Sequence, residues 1–400
     1  MPHYLSSAEA AARLGVSRQT LYAYVSRGLL HADNDGGQRE SRYLAAEVEQ
    51  LAAQRTRGRK PKEVAKATLN WGLPVLESAI TLIEDGQLYY RGENALDLAA
   101  SRGLEEVAAH LWQCDAGAAF GPLAPAWPAT MPALMAHHRG RRAEEALLPL
   151  FTAASEDAPT ALWQKSAPRQ AEGCGALLRL MAACLLGAAP DDAPIHLQCA
   201  RAWGVDADGA ELIRMALTLC ADHELNASSF TARCIASTGA SLRAAVVGGL
   251  AALTGGKHGG TTARGEALWD EINDGDIGGK MRERLARGDD LPGFGHHLYP
   301  NGDVRAMALL ARILPGDPRP QRIVEQAFAL VGQHPSVDFA LVAVRRHLRL
   351  PPGAAFGLFA LGRTAGWIAH GLEQRGGENL IRPRAAYIGR RPGGQDRRGV

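Results

Sequence analysis

Residues 222–233 read Asp222-His223-Glu224-Leu225-Asn226-Ala227-Ser228-Ser229-Phe230-Thr231-Ala232-Arg233, and the chain is densest in chemistry from here onward. Ala236-Ser237-Thr238-Gly239-Ala240 follows, then a helical apolar pattern over Ser241–Leu253, then Gly255-Gly256-Lys257-His258-Gly259-Gly260. A lone histidine is more often structural than catalytic. His258 stands among glycines, however, which let a backbone loop approach a ligand closely. Leu291-Pro292-Gly293-Phe294-Gly295-His296-His297 repeats the glycine-then-histidine theme, and Asp303-Val304-Arg305 comes next. In Ser336-Val337-Asp338-Phe339 one acid sits between apolar residues, where burial raises a carboxyl pKa and suits it to act as a base.

Around this stretch the chain is Ala- and Leu-rich from about residue 67. Helical spacing recurs over Leu104–Trp112, Ala176–Leu186 and Ala210–Leu219. The one clear strand signal is Ile80–Ile83 followed by Gln87–Tyr90, a hairpin turning at Asp85-Gly86. Glycine-rich loops at 255–260, 275–279 and 293–295 separate helices. An all-α body is therefore expected.

The 400 residues are 46% hydrophobic and 22% charged, enough for a large buried core in one to three domains. A net charge of +2 shows no global bias toward nucleic acid or membranes. The apolar or glycine run Ala244–Leu253, which no other such run exceeds, is too short to cross a bilayer, and Met1–Gly15 has no signal-peptide h-region. Six cysteines without a CxxC pair predict buried free thiols, no metal site and a cytoplasmic location.

The N-terminal module has its own logic. Ser6-Ser7-Ala8-Glu9 is a capping-box start, with Ser6 as cap and Glu9 reaching back. Gly15 ends that helix, and a second runs through Arg18–Val25. Gly28–Leu44 reads as a two-stranded wing, and Ala45–Ala53 as a closing helix. Residues 1–53 resemble the winged helix-turn-helix domains of MerR-type regulators and phage excisionases. That resemblance nominates Ser17, Arg18, Gln19, Thr20 and Tyr22 for the major groove, and Arg39 and Arg42 for phosphates. Residues 1–50 carry five Arg or Lys against six Asp or Glu, so the module is weakly attracted to DNA by itself. The stretch 55–66, with six basic residues and one acid, could serve as an arm on the backbone.

The ordered set DHELNAS, GGKHGG, PGFGHHLYP with DVR, SVDF, LGRTAGWIAH and LIRPR resembles the citrate synthase family over about residues 67–390. What the resemblance implies is condensation of acetyl-CoA with oxaloacetate to give citrate and CoA. His258 matches the histidine that hydrogen-bonds the thioester oxygen, and His296 the one that polarises the keto group. Asp338 matches the base. His223, Arg305 and Arg363 match residues that hold oxaloacetate, and Arg382 the arginine lent by a neighbouring subunit, so a homodimer is expected. The family needs no bound cofactor, and acyl-CoA is a co-substrate. Where many members read GHRVYK, this chain reads His296-His297-Leu298-Tyr299-Pro300. Lys257, Lys280 and the arginines at 282–287 become candidates for the CoA phosphates.

The expected layout is a winged helix-turn-helix domain at 1–54, a basic linker at 55–66 and a tail at 391–400. Between linker and tail, a large helical domain takes 67–250 and 350–390, and a small one 251–349. Two rivals stay open: 2-methylcitrate synthase using propionyl-CoA, and a DNA-binding regulator whose body senses metabolites.

Overall fold

The structure is a computed structural model that describes residues 4–14, 16, 18–26, 30, 32–33, 41–45, 47–49, 51, 76–160, 165–272, 275–377, 379–385, 387 and 389. The chain divides into two units, Met1–Glu77 and Ser78–Val400. The basic stretch 55–66 and the tail 391–400 lie outside the described residues.

In the first unit the capping box forms as the sequence predicts. The Ser6 amide and hydroxyl both donate to the Glu9 carboxylate at 2.8 Å, and the Glu9 amide donates back to Ser6 Oγ at 3.3 Å. Helices α1 (Ser7–Leu14) and α2 (Arg18–Ser26) follow the strand β1 (Tyr4–Ser6). The wing strands β2 (Ala32–Asp33) and β3 (Arg42–Leu44) pair antiparallel, Ala32 opposite Tyr43. The strand that was not expected is β1. It pairs with the other edge of β3, Leu5 opposite Tyr43, making a three-stranded sheet in the order β1-β3-β2. Ala10, Leu14, Leu21, Leu30, Tyr43, Val48 and Leu51 form the core of the unit.

The second unit opens with the hairpin β4 (Thr81–Glu84) and β5 (Gln87–Tyr90), extended by β6 (Glu93–Asn94). Asp85 and Gly86 both have positive φ (51° and 74°), the backbone of a two-residue turn matched to strand twist. Among the described residues, sixteen helices follow. They begin with α3 (Ala95–Ser101), α4 (Leu104–Trp112), α5 (Ala116–Ala119), α6 (Met131–His137), α7 (Ala143–Ala154) and α8 (Ala167–Leu186). Next come α9 (Ile195–Trp203), α10 (Ala207–Leu219), α11 (Ala227–Ser237), α12 (Leu242–Leu253) and α13 (Thr261–Glu271). The last are α14 (Ile277–Ala286), α15 (Val304–Ile313), α16 (Arg319–Val331), α17 (Val337–His347) and α18 (Ala354–Arg375).

Helix α18 is the axis on which the site is built. It is hydrophobic all round, and every residue from Ala354 to Gly371 is buried, the pattern of a helix enclosed by others. Helices α4, α7, α8, α10, α11, α12, α13 and α17 pack against it. Gly362 and Gly366, one turn apart, bare one of its faces to the chain leaving α10. A Cβ on Gly362 would stand 2.6 Å from the Leu217 carbonyl, and one on Gly366 would stand 2.3 Å from Asp222 Oδ1. The Gly366 amide donates to the Ala221 carbonyl at 2.9 Å. The missing side chains thus let the segment 220–223 lie directly on the helix. Among the described residues, no helix is long and apolar enough to cross a membrane.

Candidate active site

His223 is delivered by that segment. Asp222, fully buried behind it, accepts from Thr81 Oγ1 at 2.6 Å, and His370 Nε2 of α18 lies 3.3 Å from its carboxylate. Burial works to raise the Asp222 pKa, but His370, Arg363 and Thr81 hold it below the usual carboxylate value. The Tyr90 hydroxyl adds contacts to the carbonyls of Leu219 and Asp222, each at 3.1 Å. Glu224 then takes φ +54°, and Asn226 caps α11 by accepting from the amides of Ser228 and Ser229 at 3.1 Å each.

The structure brings six of the residues singled out from the sequence together. The rings of His223 and His296 meet edge to face at 5.1 Å, and Tyr299 lies against both at 5.6 and 5.1 Å. His223 Nε2 shares a 3.1 Å hydrogen bond with the Tyr299 hydroxyl. The Arg305 guanidinium sits 5.5 Å from the Tyr299 ring, and that of Arg363 sits 4.8 Å from the Phe359 ring. His258 meets the same Phe359 edge-on at 6.1 Å. Asp338, in the first turn of α17, is close enough to Arg305 and Arg363 for both charges to bear on it.

Protonation follows from this geometry. Burial, helped by the nearby Arg363 charge, lowers His258 to about 4, and burial with Arg305 lowers His296 to about 4. His223 is pushed well below its ordinary value, by burial and then by Arg305 and Arg363. All three rings are therefore neutral near pH 7. The Leu298 amide donates to His296 Nδ1 at 3.2 Å, which leaves the ring proton on Nε2. Burial raises Asp338 to about 6, Asp303 adding to the shift and Arg305 opposing it.

Two buried polar atoms in the cluster have no hydrogen-bond partner among the described residues: Asp338 Oδ1 and Arg363 Nη2. An acceptor and a donor left unmade in a buried site cost stability, so each is open to a further hydrogen-bond partner. Arg363 Nε is already used, donating to the Cys220 carbonyl at 3.0 Å.

Arg382 is exposed on the segment after α18 and forms no ion pair with the cluster. Of the cations considered for the CoA phosphates, Lys280 is paired with Glu283 at 2.8 Å, and Arg284 and Arg287 both with Glu271. Exposed Lys257 and Arg282 have no carboxylate partner among the described residues. In the first unit Thr20 and Tyr22 lie on α2, Tyr22 being 52% exposed, and Arg42 is exposed on β3. Arg18 and Gln19 form the start of α2, whereas Ser17 and Arg39 lie outside the described residues. The sequence reading passed over Ser228, Tyr299 and Asp303, although each sits inside a quoted motif. His370 closes the quoted motif LGRTAGWIAH and Thr81 lies in the quoted hairpin, yet neither was linked to the cluster, and Phe359 lay outside every quoted motif. No group of three His, Cys, Asp or Glu among the described residues could hold a metal ion.

The fold and the site define a mostly helical body that gathers three histidines, two arginines and one aspartate into a single buried cluster. Residues 68–384 match the family described as citrate synthase, C-terminal domain, and the chain belongs to the citrate synthase family. Residues 4–56 match a helix-turn-helix domain. The chain is 36% identical over 191 residues to the citrate synthase of Haloferax volcanii, a match covering 45% of this chain and 50% of that one. It is 32% identical over 193 residues to the 2-methylcitrate synthase of Shewanella oneidensis, covering 46% and 51%. The chain spans about half the length of the curated relatives it matches. Its fold is that of the citrate synthase from Thermoplasma acidophilum solved as a ternary complex with carboxymethyl coenzyme A and oxaloacetate. The TM-score is 0.66 and the identity 23%, over 82% of this chain and 96% of that one.

Proposed function

We propose that the chain condenses acetyl-CoA with oxaloacetate and hydrolyses the citryl-CoA formed, giving citrate and CoA. The observation that carries this reading is the pair of open valences, Asp338 Oδ1 and Arg363 Nη2, among three neutral histidines. Asp338, ionised above about pH 6, takes a proton from the acyl methyl group. His258 donates a hydrogen bond to the thioester oxygen as the enol forms. The enol carbon attacks the keto carbon of oxaloacetate, and His296 gives its Nε2 proton to the developing alkoxide. Water then cleaves the thioester and releases CoA. His223, Arg305 and Arg363 orient the two carboxylates, the arginines by forked hydrogen bonds. A neutral His258 suits this step, because the donor acts without first giving up a charge.

In this account residues 251–349 form the smaller lobe, which closes over the substrates and excludes water, against a larger lobe of 67–250 and 350–390. The working unit is a homodimer, and Arg382 of one copy completes the site of the other. The free state of all six cysteines supports a cytoplasmic location. Lys257 and Arg282, as unpaired exposed cations, are assigned to the CoA phosphates. Propionyl-CoA as the preferred substrate is the nearest variant, favoured by the likeness to a 2-methylcitrate synthase. Turnover assays with both acyl-CoAs separate the two.

A second reading rests on the helix-turn-helix domain and the exposed Tyr22 on α2, namely that the first unit binds DNA and the body reports on metabolites. Salt-dependent retardation of the gene's own upstream DNA tests it. Binding that ignores oxaloacetate and acyl-CoA would reject the sensing part.

A further inference from the structure

Asp303 stands just outside the substrate-facing set, 1% exposed, and its carboxylate is fully occupied. Oδ1 accepts from Arg305 Nε at 2.9 Å and from the Arg305 amide at 3.1 Å. Oδ2 accepts from Arg305 Nη2 at 2.8 Å and from the Val337 amide at 3.0 Å. The first three bonds cap α15 and fix the guanidinium as a fork against one carboxylate. The fourth reaches across 34 residues to the residue before Asp338. Ser336, the N-cap of α17, makes no side-chain cap of its own; its hydroxyl lies 3.1 Å from the Gly293 carbonyl and 3.4 Å from Asp338 Oδ2. Asp303 therefore supplies the acceptor that the start of α17 lacks.

We propose that Asp303 is a positioning residue that holds Arg305 and the first turn of α17 in one arrangement, so that oxaloacetate orientation and proton removal by Asp338 are set together. The inference rests on the substrate-clamp and base roles proposed above for Arg305 and Asp338. Two of the five N–H groups of Arg305 are consumed by Asp303, which leaves Nη1 and one Nη2 hydrogen for a substrate carboxylate. The ionisable groups that bear on Asp338 are Asp303 and Arg305 from one segment, Arg363 from α18 and Cys220 from the segment lying on α18. Asp303 is the only carboxylate among them. Its charge opposes ionisation of Asp338 and keeps the base strong, while Arg305 acts the other way.

Asp303→Asn removes that charge and cannot reproduce the fork, since its amide nitrogen is a donor facing another donor. With this variant the KM for oxaloacetate rises about tenfold or more, the KM for the acyl-CoA staying within about twofold. The acid limb of the kcat/KM profile, read with acyl-CoA varied at saturating oxaloacetate, moves to lower pH. Asp303→Glu keeps the charge but displaces the fork by one methylene, so its acid limb stays at the wild-type pH while the oxaloacetate KM still rises. Thermal unfolding of each variant checks that it is folded. If Asp303→Asn does not fold, Asp303→Glu decides, through the same split between the two KM values. An equal loss for both substrates with the limb in place, or no change at all, overturns the proposal. Wild-type protein that turns over neither acetyl-CoA nor propionyl-CoA in this assay overturns the parent reading, and the proposal with it.

Discussion

The Ser228 hydroxyl lies 2.8 Å from Nε2 of His258 and also 2.8 Å from Oδ1 of Asn226, so its single hydrogen serves one of two acceptors. Given to His258, it leaves the ring proton on Nδ1, ready to be donated to a thioester oxygen. Given to Asn226, it makes His258 the donor to Ser228 and takes that proton out of use. The proposed chemistry requires the first arrangement. Ser228→Ala is therefore expected to lower kcat roughly tenfold or more, with oxaloacetate binding unchanged by calorimetry. Unaltered kcat would remove Ser228 from the account.

Asp338 pays for its basicity in stability. Its folded pKa, about 6, lies above the ordinary value of 3.8, so the folded state binds the proton more tightly than the unfolded chain does. The native state accordingly loses stability as pH rises from about 4 through 6. Asp338→Asn is expected to abolish turnover and to raise unfolding stability at pH 8 by roughly 3 kcal/mol, an advantage that largely disappears near pH 4. Denaturant titrations of both proteins at the two pH values provide the check. A variant less stable than wild type at pH 8 would contradict the burial argument.

Gly366 gives a purely geometric prediction. A Cβ there would come 2.3 Å from Asp222 Oδ1 and 2.6 Å from the Ala221 carbonyl, on a helix that cannot retreat from its neighbours. Gly366→Ala is expected to cost about 1–3 kcal/mol despite the better helix propensity of alanine. It should weaken oxaloacetate binding as well, since the same segment delivers His223. Gly256→Ala, where nothing lies within 4 Å of the added Cβ, is the control and should leave stability unchanged. Both are read by thermal unfolding.

These cases show what the sequence makes legible. Local signals read cleanly: the Ser6–Glu9 capping box, the Asp85-Gly86 turn and the apolar flanks of Asp338 depend on residues a few positions apart. The cluster itself was legible only as an ordered set of motifs, because no spacing rule brings residue 223 beside residue 296. The supporting layer was not legible. Thr81 and Asp222 are 141 residues apart, and Asp222 and His370 are 148 apart. Such pairs carry no periodicity and appear only when the hairpin and α18 converge. Strand β1 escaped notice for a related reason: three residues ending at a helix cap are too few to show alternation.

Arg382 calls for a test in trans. If it serves a second copy, Asp338→Asn and Arg382→Ala proteins should each be inactive alone. Mixed and refolded together they should regain about a quarter of wild-type activity, because half the dimers are mixed and each carries one intact site. Subunit exchange that restores nothing would confine the site to a single chain.

The most direct measurement is free-thiol release by the purified chain given oxaloacetate with acetyl-CoA or propionyl-CoA, beside Asp338→Ala. The account predicts turnover with wild type, abolished by the substitution, and the faster acyl-CoA identifies the physiological substrate. Folded wild-type protein that releases no thiol from either substrate would contradict it, leaving the DNA-binding reading as the stronger one.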